Sequence, residues 1–85
     1  MNKNIKIIRA YWNNGQLWYE TKYHKGLKHG IETGWYPSGQ LWYMHPYFLG
    51  QIHGISKGWG SNGLPTYEMR YLYGEKIKQT LDTHK

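Results

Sequence analysis

Hydrophobic and polar positions in this chain recur every 24 residues. Aligned from Tyr11, the first row reads YWNNGQLWYETKYHKGLKHGIETG, the second, from Trp35, WYPSGQLWYMHPYFLGQIHGISKG, and the third, from Trp59, WGSNGLPTYEMRYLYGEKIKQTLD. The first two rows agree at 11 of 24 positions, including the run GQLWY. Four columns hold one residue throughout: Gly15/Gly39/Gly63, Tyr19/Tyr43/Tyr67, Tyr23/Tyr47/Tyr71 and Gly26/Gly50/Gly74. A fixed period marks a repeat architecture and takes precedence over window-by-window reading. The residues before Tyr11 fit the second half of a unit, with Ile7 in the column of Ile31 and Ile55, and Ala10 in that of Gly34 and Gly58. The 85 residues divide into a half repeat (1–10), three repeats (11–34, 35–58, 59–82) and a short tail (83–85), all one domain.

Each unit carries two turn signals: Asn-Asn-Gly, Pro-Ser-Gly or Ser-Asn-Gly, and then a turn centred on Gly26, Gly50 or Gly74. Glycine supplies the positive φ that tight hairpins require. Between the turns lie runs of about eight residues rich in Trp, Tyr and Thr, which read as strands. Two hairpins per unit give an all-β, single-layer, twisted antiparallel meander of about seven strands, near 5–12, 16–23, 29–36, 40–47, 53–60, 64–72 and 76–81. The terminal EKIKQTLDTHK also suits a short helix.

Side chains alternate across a strand. Strict alternation sets Leu17, Tyr19 and Tyr23 on one face and Trp18 and Glu20 on the other, with the same division in the next unit. Gly30 and Gly34 share a face, as do Gly54 and Gly58, leaving bare backbone on which a neighbouring tyrosine ring can lie. Ile7, Ile31 and Ile55 form a second strip with Tyr11, Trp35 and Trp59. Equivalent residues of successive units stand about 10 Å apart. That is too wide for Trp18 to stack on Trp42, but suits rings that grip something between them.

Composition sharpens this picture. Five Trp and nine Tyr are more than so short a chain can hide. Zero cysteine removes disulfides and thiolate metal sites. The apolar run at the N-terminus, Ile5, Ile7 and Ile8, is broken by Lys6 and is too short for a secretory h-region or a membrane span. The chain reads as soluble and cytoplasmic. Net charge is +6, which favours acidic partners. The acids are scattered: Glu20 and Glu68 fall about 20 Å apart by strand spacing, too far for paired-carboxylate catalysis. His29 and His53 stand about 10 Å apart, too far to share a metal, and His24 and His29 flank a turn with no obvious third ligand. No catalytic residue, metal site or cofactor is expected.

From Thr33 to Tyr67, Lys57 is the only charged side chain in 35 residues. Uncharged aromatic patches with polar rims describe protein interfaces. The candidate partner-binding residues are therefore Trp18, Trp35, Tyr36, Trp42, Phe48 and Trp59, and a protein is the expected partner. Rings beside Lys22, Lys25, Lys28, Arg70 and Lys76 also fit single-stranded nucleic acid, or anionic lipid more weakly, through contacts to anionic groups. Should the chain self-associate, the charged edge strands direct it to a face-to-face homodimer through the aromatic face of the middle repeat, in competition with partner binding.

The spacing of Tyr11, Gly15, Tyr23, Gly26 and Gly30, and of Trp35, Gly39, Tyr47, Gly50 and Gly54, resembles the MORN repeat. The nearest form is the bacterial MORN variant of the YwqK-like, toxin–antitoxin-associated type. The resemblance covers nearly the whole chain, and row three departs from it with Lys78 where Gly30 and Gly54 stand. It implies a curved β-meander with binding roles, no shared catalytic site, and an antitoxin-like or inhibitory role in a bacterial or phage setting.

Overall fold

A computed structural model describes residues 4–77. Its elements are all strands: β1 (Ile5–Tyr11), β2 (Leu17–His24), β3 (Leu27–Lys28), β4 (Gly30–Trp35), β5 (Leu41–Phe48), β6 (Gln51–Ile52), β7 (Gly54–Trp59), β8 (Pro65–Leu72) and β9 (Glu75–Ile77). They form one open antiparallel sheet in the order β1-β2-β4-β5-β7-β8-β9, with β3 beside β2 and β6 beside β5. The described chain measures 47 × 32 × 17 Å. The expected meander is present. Nine segments replace about seven strands because two strands are interrupted, at His29 and at His53. There the pairing changes register, from Glu20↔Thr33 to Tyr23↔Lys28 and from Met44↔Lys57 to Tyr47↔Ile52. The expected last strand, 76–81, is represented by β9. Its remainder, the helical alternative, the tail and residues 1–3 lie outside the described residues.

The two turn signals build two kinds of turn. In the first, the amides of Gly15, Gly39 and Gly63 donate to the carbonyls of Trp12, Tyr36 and Gly60 at 2.8–2.9 Å. Asn14, Ser38 and Asn62 accept from the amide two residues on, the side-chain turn that Asn and Ser favour. In the second, both central residues have positive φ: Lys25-Gly26, Leu49-Gly50 and Tyr73-Gly74. This is the type I′ hairpin. Leu49 and Tyr73 hold φ 45° despite their bulk. Each is anchored from the preceding unit, its amide donating to Nδ1 of His29 (3.1 Å) or of His53 (3.0 Å).

Strands β1, β4 and β7 are regular, so alternation assigns the faces. One, the isoleucine face, carries Ile5, Ile7, Arg9 and Tyr11, then Ile31, Thr33 and Trp35, then Ile55, Lys57 and Trp59. The opposite, tyrosine face carries Tyr19, Tyr43 and Tyr67, paired with Ala10, Gly34 and Gly58. A Cβ at Gly34 or Gly58 would run into the ring of Tyr43 or Tyr67. Rings do lie on bare backbone there. At Gly30 and Gly54 the expected ring is not the neighbour. Glycine serves there because φ is 103° and 120°, and a Cβ at Gly54 would meet Pro46 at 3.1 Å.

Strict alternation fails at one point per unit. Ala10 pairs with Tyr19, but Tyr11 pairs with Leu17, and the slip recurs at Gly34/Trp35 and Gly58/Trp59. The extra residue is Trp18, Trp42 or Thr66. Such a bulge re-aims a side chain. The Trp18 ring meets Tyr19 edge to face at 5.5 Å, and Trp42 meets Tyr43 at 5.4 Å. Both tryptophans therefore lie with the tyrosines, not opposite them.

Candidate functional site

A sheet buries its apolar face against another layer in most domains. Here no hydrophobic residue among the described residues is buried, and the buried polar side chains are Thr21 and Ser56, 4% and 2% exposed. Both faces are therefore candidate sites, and their chemistry differs.

Along the tyrosine face, at the end carrying the Asn-Asn-Gly and Pro-Ser-Gly turns, four rings form a ladder. Trp18 stacks on Trp12 at 4.6 Å, Trp12 on Trp42 at 6.4 Å, and Trp42 on Tyr36 at 5.0 Å. The object gripped between Trp18 and Trp42 is thus the chain's own Trp12. Trp12 Nε1 donates to the Trp35 carbonyl at 2.8 Å, and the Tyr36 hydroxyl donates to the Trp59 carbonyl at 2.7 Å. These matched bonds lock each unit to the next. Trp12 was no candidate in the sequence reading, although it shares a column with Tyr36. The third unit has Gly60 and Thr66 in the ladder columns. At the Trp18 end, Tyr11, Trp12, Asn13, Asn14, Trp18 and Pro37 line an open cleft of about 510 Å³.

The middle of the tyrosine face is polar. Lys28 Nζ donates to Glu32 Oε1 at 2.7 Å and lies 5.0 Å from the centre of the Tyr47 ring. The Tyr43 hydroxyl donates to Glu32 Oε2 at 2.8 Å. His45, cross-strand from Glu32, stacks on Tyr43 at 4.6 Å and shares a 2.8 Å hydrogen bond with the Tyr67 hydroxyl. Burial pushes the Glu32 carboxyl up, but the bonds from Lys28 and Tyr43 outweigh it and hold the group below its ordinary range. The bond to Glu32 raises the Lys28 ammonium. Burial lowers the His45 imidazole and raises the Tyr43 and Tyr67 hydroxyls, with Glu32 adding to the rise at Tyr43. The cluster holds a neutral imidazole and a charge-compensated carboxylate, which suits structure or recognition.

The six candidate partner-binding residues divide between the faces. Trp18, Tyr36 and Trp42 belong to the ladder. Trp35 and Trp59 lie on the isoleucine face. Phe48 sits at the other end of the sheet, 44% exposed, between His29 (5.2 Å) and His53 (6.1 Å). His24 and His29 do approach across their turn, at 5.5 Å. Among the described residues no three His, Asp or Glu gather as metal ligands. The candidate anion contacts do not gather either. Lys22, cross-strand from Ile7, and Arg70, cross-strand from Ile55, lie on the isoleucine face. Lys28, cross-strand from Tyr23, and Lys76, cross-strand from Tyr71, lie on the tyrosine face, and Lys25 is in a turn.

No protein-family model, no curated protein and no solved structure matches the chain. Among the described residues no helix is long and apolar enough to cross a membrane.

Proposed function

We propose that the protein is a non-enzymatic binding module of MORN-like repeats that covers a surface of a partner protein with its aromatic ladder. The observation that carries this reading is the tryptophan ladder itself. Trp12 and Tyr36 are held by hydrogen bonds to the next unit's backbone, Trp18 and Trp42 stack on them, and Trp18 remains 37% exposed. Rigid aromatic groups fixed before binding lose little entropy on association, and Trp and Tyr dominate interface hot spots. The open cleft beside Trp18 takes an apolar side chain of the partner. The MORN resemblance supports binding over catalysis and, by analogy, an antitoxin-like or inhibitory action by steric occlusion.

The test is reconstitution with a purified partner recovered on the tagged full chain. Trp18→Ala should weaken that complex by about tenfold or more, while alanines at Lys22, Lys25 and Lys28 mainly slow association. Should purified single-stranded nucleic acid bind instead, with the lysine variant losing affinity and flattening the log-salt slope, the nucleic-acid reading replaces this one.

A further inference from the structure

The isoleucine face presents a different pattern. Ile7, Ile31 and Ile55 are 43%, 45% and 37% exposed, and a groove lined by Ile31, Met44, Pro46, Ile55 and Lys57 runs across the middle. This row also carries Lys22, cross-strand from Ile7, and Arg70, cross-strand from Ile55, and beside it runs a second one. Its cross-strand pairs are Arg9↔Glu20, Thr33↔Met44 and Lys57↔Glu68. Read from β1 to β8, its signs are plus, minus, neutral, neutral, plus, minus.

That order is self-complementary under one operation. A twofold axis parallel to the strands, between β4 and β5, lays β1 over β8 of a second copy, β2 over β7 and β4 over β5. Arg9 then faces Glu68, Glu20 faces Lys57, and Thr33 faces Met44. Every charge in this row meets its opposite across the axis, in addition to its cross-strand partner within the sheet, where Arg9 Nε donates to Glu20 Oε2 at 2.7 Å, and the neutral pairs fall at the centre. In the neighbouring row Ile31 faces Pro46, while Lys22 faces Ile55 and Arg70 faces Ile7, so its two cations meet isoleucines and not acids. The other in-plane twofold, laid along the row, sets each charge against its own copy.

We infer that the isoleucine face is the dimer interface of this protein, taken up by a second copy about that axis to form a two-layer β-sandwich. Sheets pack face to face about 10 Å apart with their strands aligned within about 30°. An isologous contact requires a patch complementary to itself, and the charge row supplies that complementarity. The two longer dimensions of the sheet, 47 and 32 Å, leave room for the roughly 800 Å² per partner of a standard interface. The two central strands contribute Ile31, Thr33, Met44 and Pro46, and the charged groups flank them on β1, β2, β7 and β8, with Lys57 at the edge of the groove. The ladder faces outward in such a dimer, so each copy keeps its surface for a different partner.

The test is the mass of the full chain by sedimentation across a dilution series, where the dimer has twice the 10.2 kDa chain mass. Arg9→Glu alone and Glu68→Arg alone should each weaken self-association by about a hundredfold, because the axis duplicates the like-charge contact. Mixing the two variants should restore a heterodimer, since Glu at position 9 of one copy then meets Arg at position 68 of the other, and Glu68 meets Arg9. Circular dichroism of each variant shows whether the monomer is folded, and a variant that merely misfolded would not be rescued in trans. A monomer at about 100 μM, a dimer untouched by either reversal, no rescue on mixing, or a dimer broken by Trp18→Ala but not by Ile31→Asp would overturn the proposal. Outcomes for the ladder's partner are read separately, because Ile31→Asp leaves that surface intact.

Discussion

The two faces of this sheet come from the same strands yet solve opposite problems. On the tyrosine face nearly every group is used within the chain. Tyr43 and Tyr67 lie on Gly34 and Gly58, Glu32 receives Lys28 and Tyr43, and Trp12 fills the space between Trp18 and Trp42. On the isoleucine face Ile7 and Ile31 stay open, 43% and 45% exposed, beside the half-buried Trp35 and Trp59. The difference teaches which face holds the monomer together. A single layer has no inner core, so one face takes over that duty by covering its own backbone with rings. The other is left for self-association, and the covering face offers a partner only the exposed rim of its ladder at Trp18.

The largest test of this division is Gly58→Val. Its Cβ would enter the Tyr67 ring, and the cost should be about 3 kcal/mol, a large part of the stability of so small a domain. Chemical denaturation should show Tyr67→Leu relieving part of that cost in the double variant, and strict additivity would show that ring and glycine do not touch. Gly54→Val should cost less, and its penalty should be insensitive to Tyr71, because positive φ is its cause.

Next comes the polar centre. Tyr43→Phe should lose about 1 kcal/mol through the bond to Glu32. Acid should destabilise the fold in two windows. His45 has a folded pKa below its ordinary value, so the unfolded chain binds the proton first, and stability falls as pH drops below about 6.5. Glu32 is likewise depressed, and its contribution is lost at lower pH, as the carboxylate protonates. His45→Gln should flatten the upper window and leave the lower one. An unchanged profile from pH 7 to 5 would remove His45 from the account. The smallest effect is at Ile31→Ser, which should change monomer stability within about 0.5 kcal/mol because the side chain is already open.

Much of this was legible in the sequence. The 24-residue period, the paired turns and the shared faces of Gly34 with Tyr43 and of Ile31 with Trp35 follow from spacing alone. Trp18 and Trp42 did not, because a one-residue slip moves a side chain to the other face and nothing in GQLWY marks the extra residue. Once the slip is known, Trp12 has only one place to go. The Glu32–Tyr43 and His45–Tyr67 bonds depend on cross-strand register, which the turn lengths nearly fix. Tracing Gly34↔Tyr43 two residues along each strand brings Glu32 opposite His45. Alternation groups Gly30 and Gly54 with Gly34 and Gly58, but their positive φ would turn a Cβ toward Lys22 and Pro46 on the isoleucine face, which spacing does not reveal.

The division between the faces is tested most directly by oxidative footprinting at Trp42 and Met44. These residues are two apart on β5, yet they lie on opposite faces. On diluting the full chain through the dimer dissociation range, oxidation of Met44 should rise severalfold while that of Trp42 stays constant. Constant Met44 with rising Trp42 would place self-association on the ladder and contradict the account.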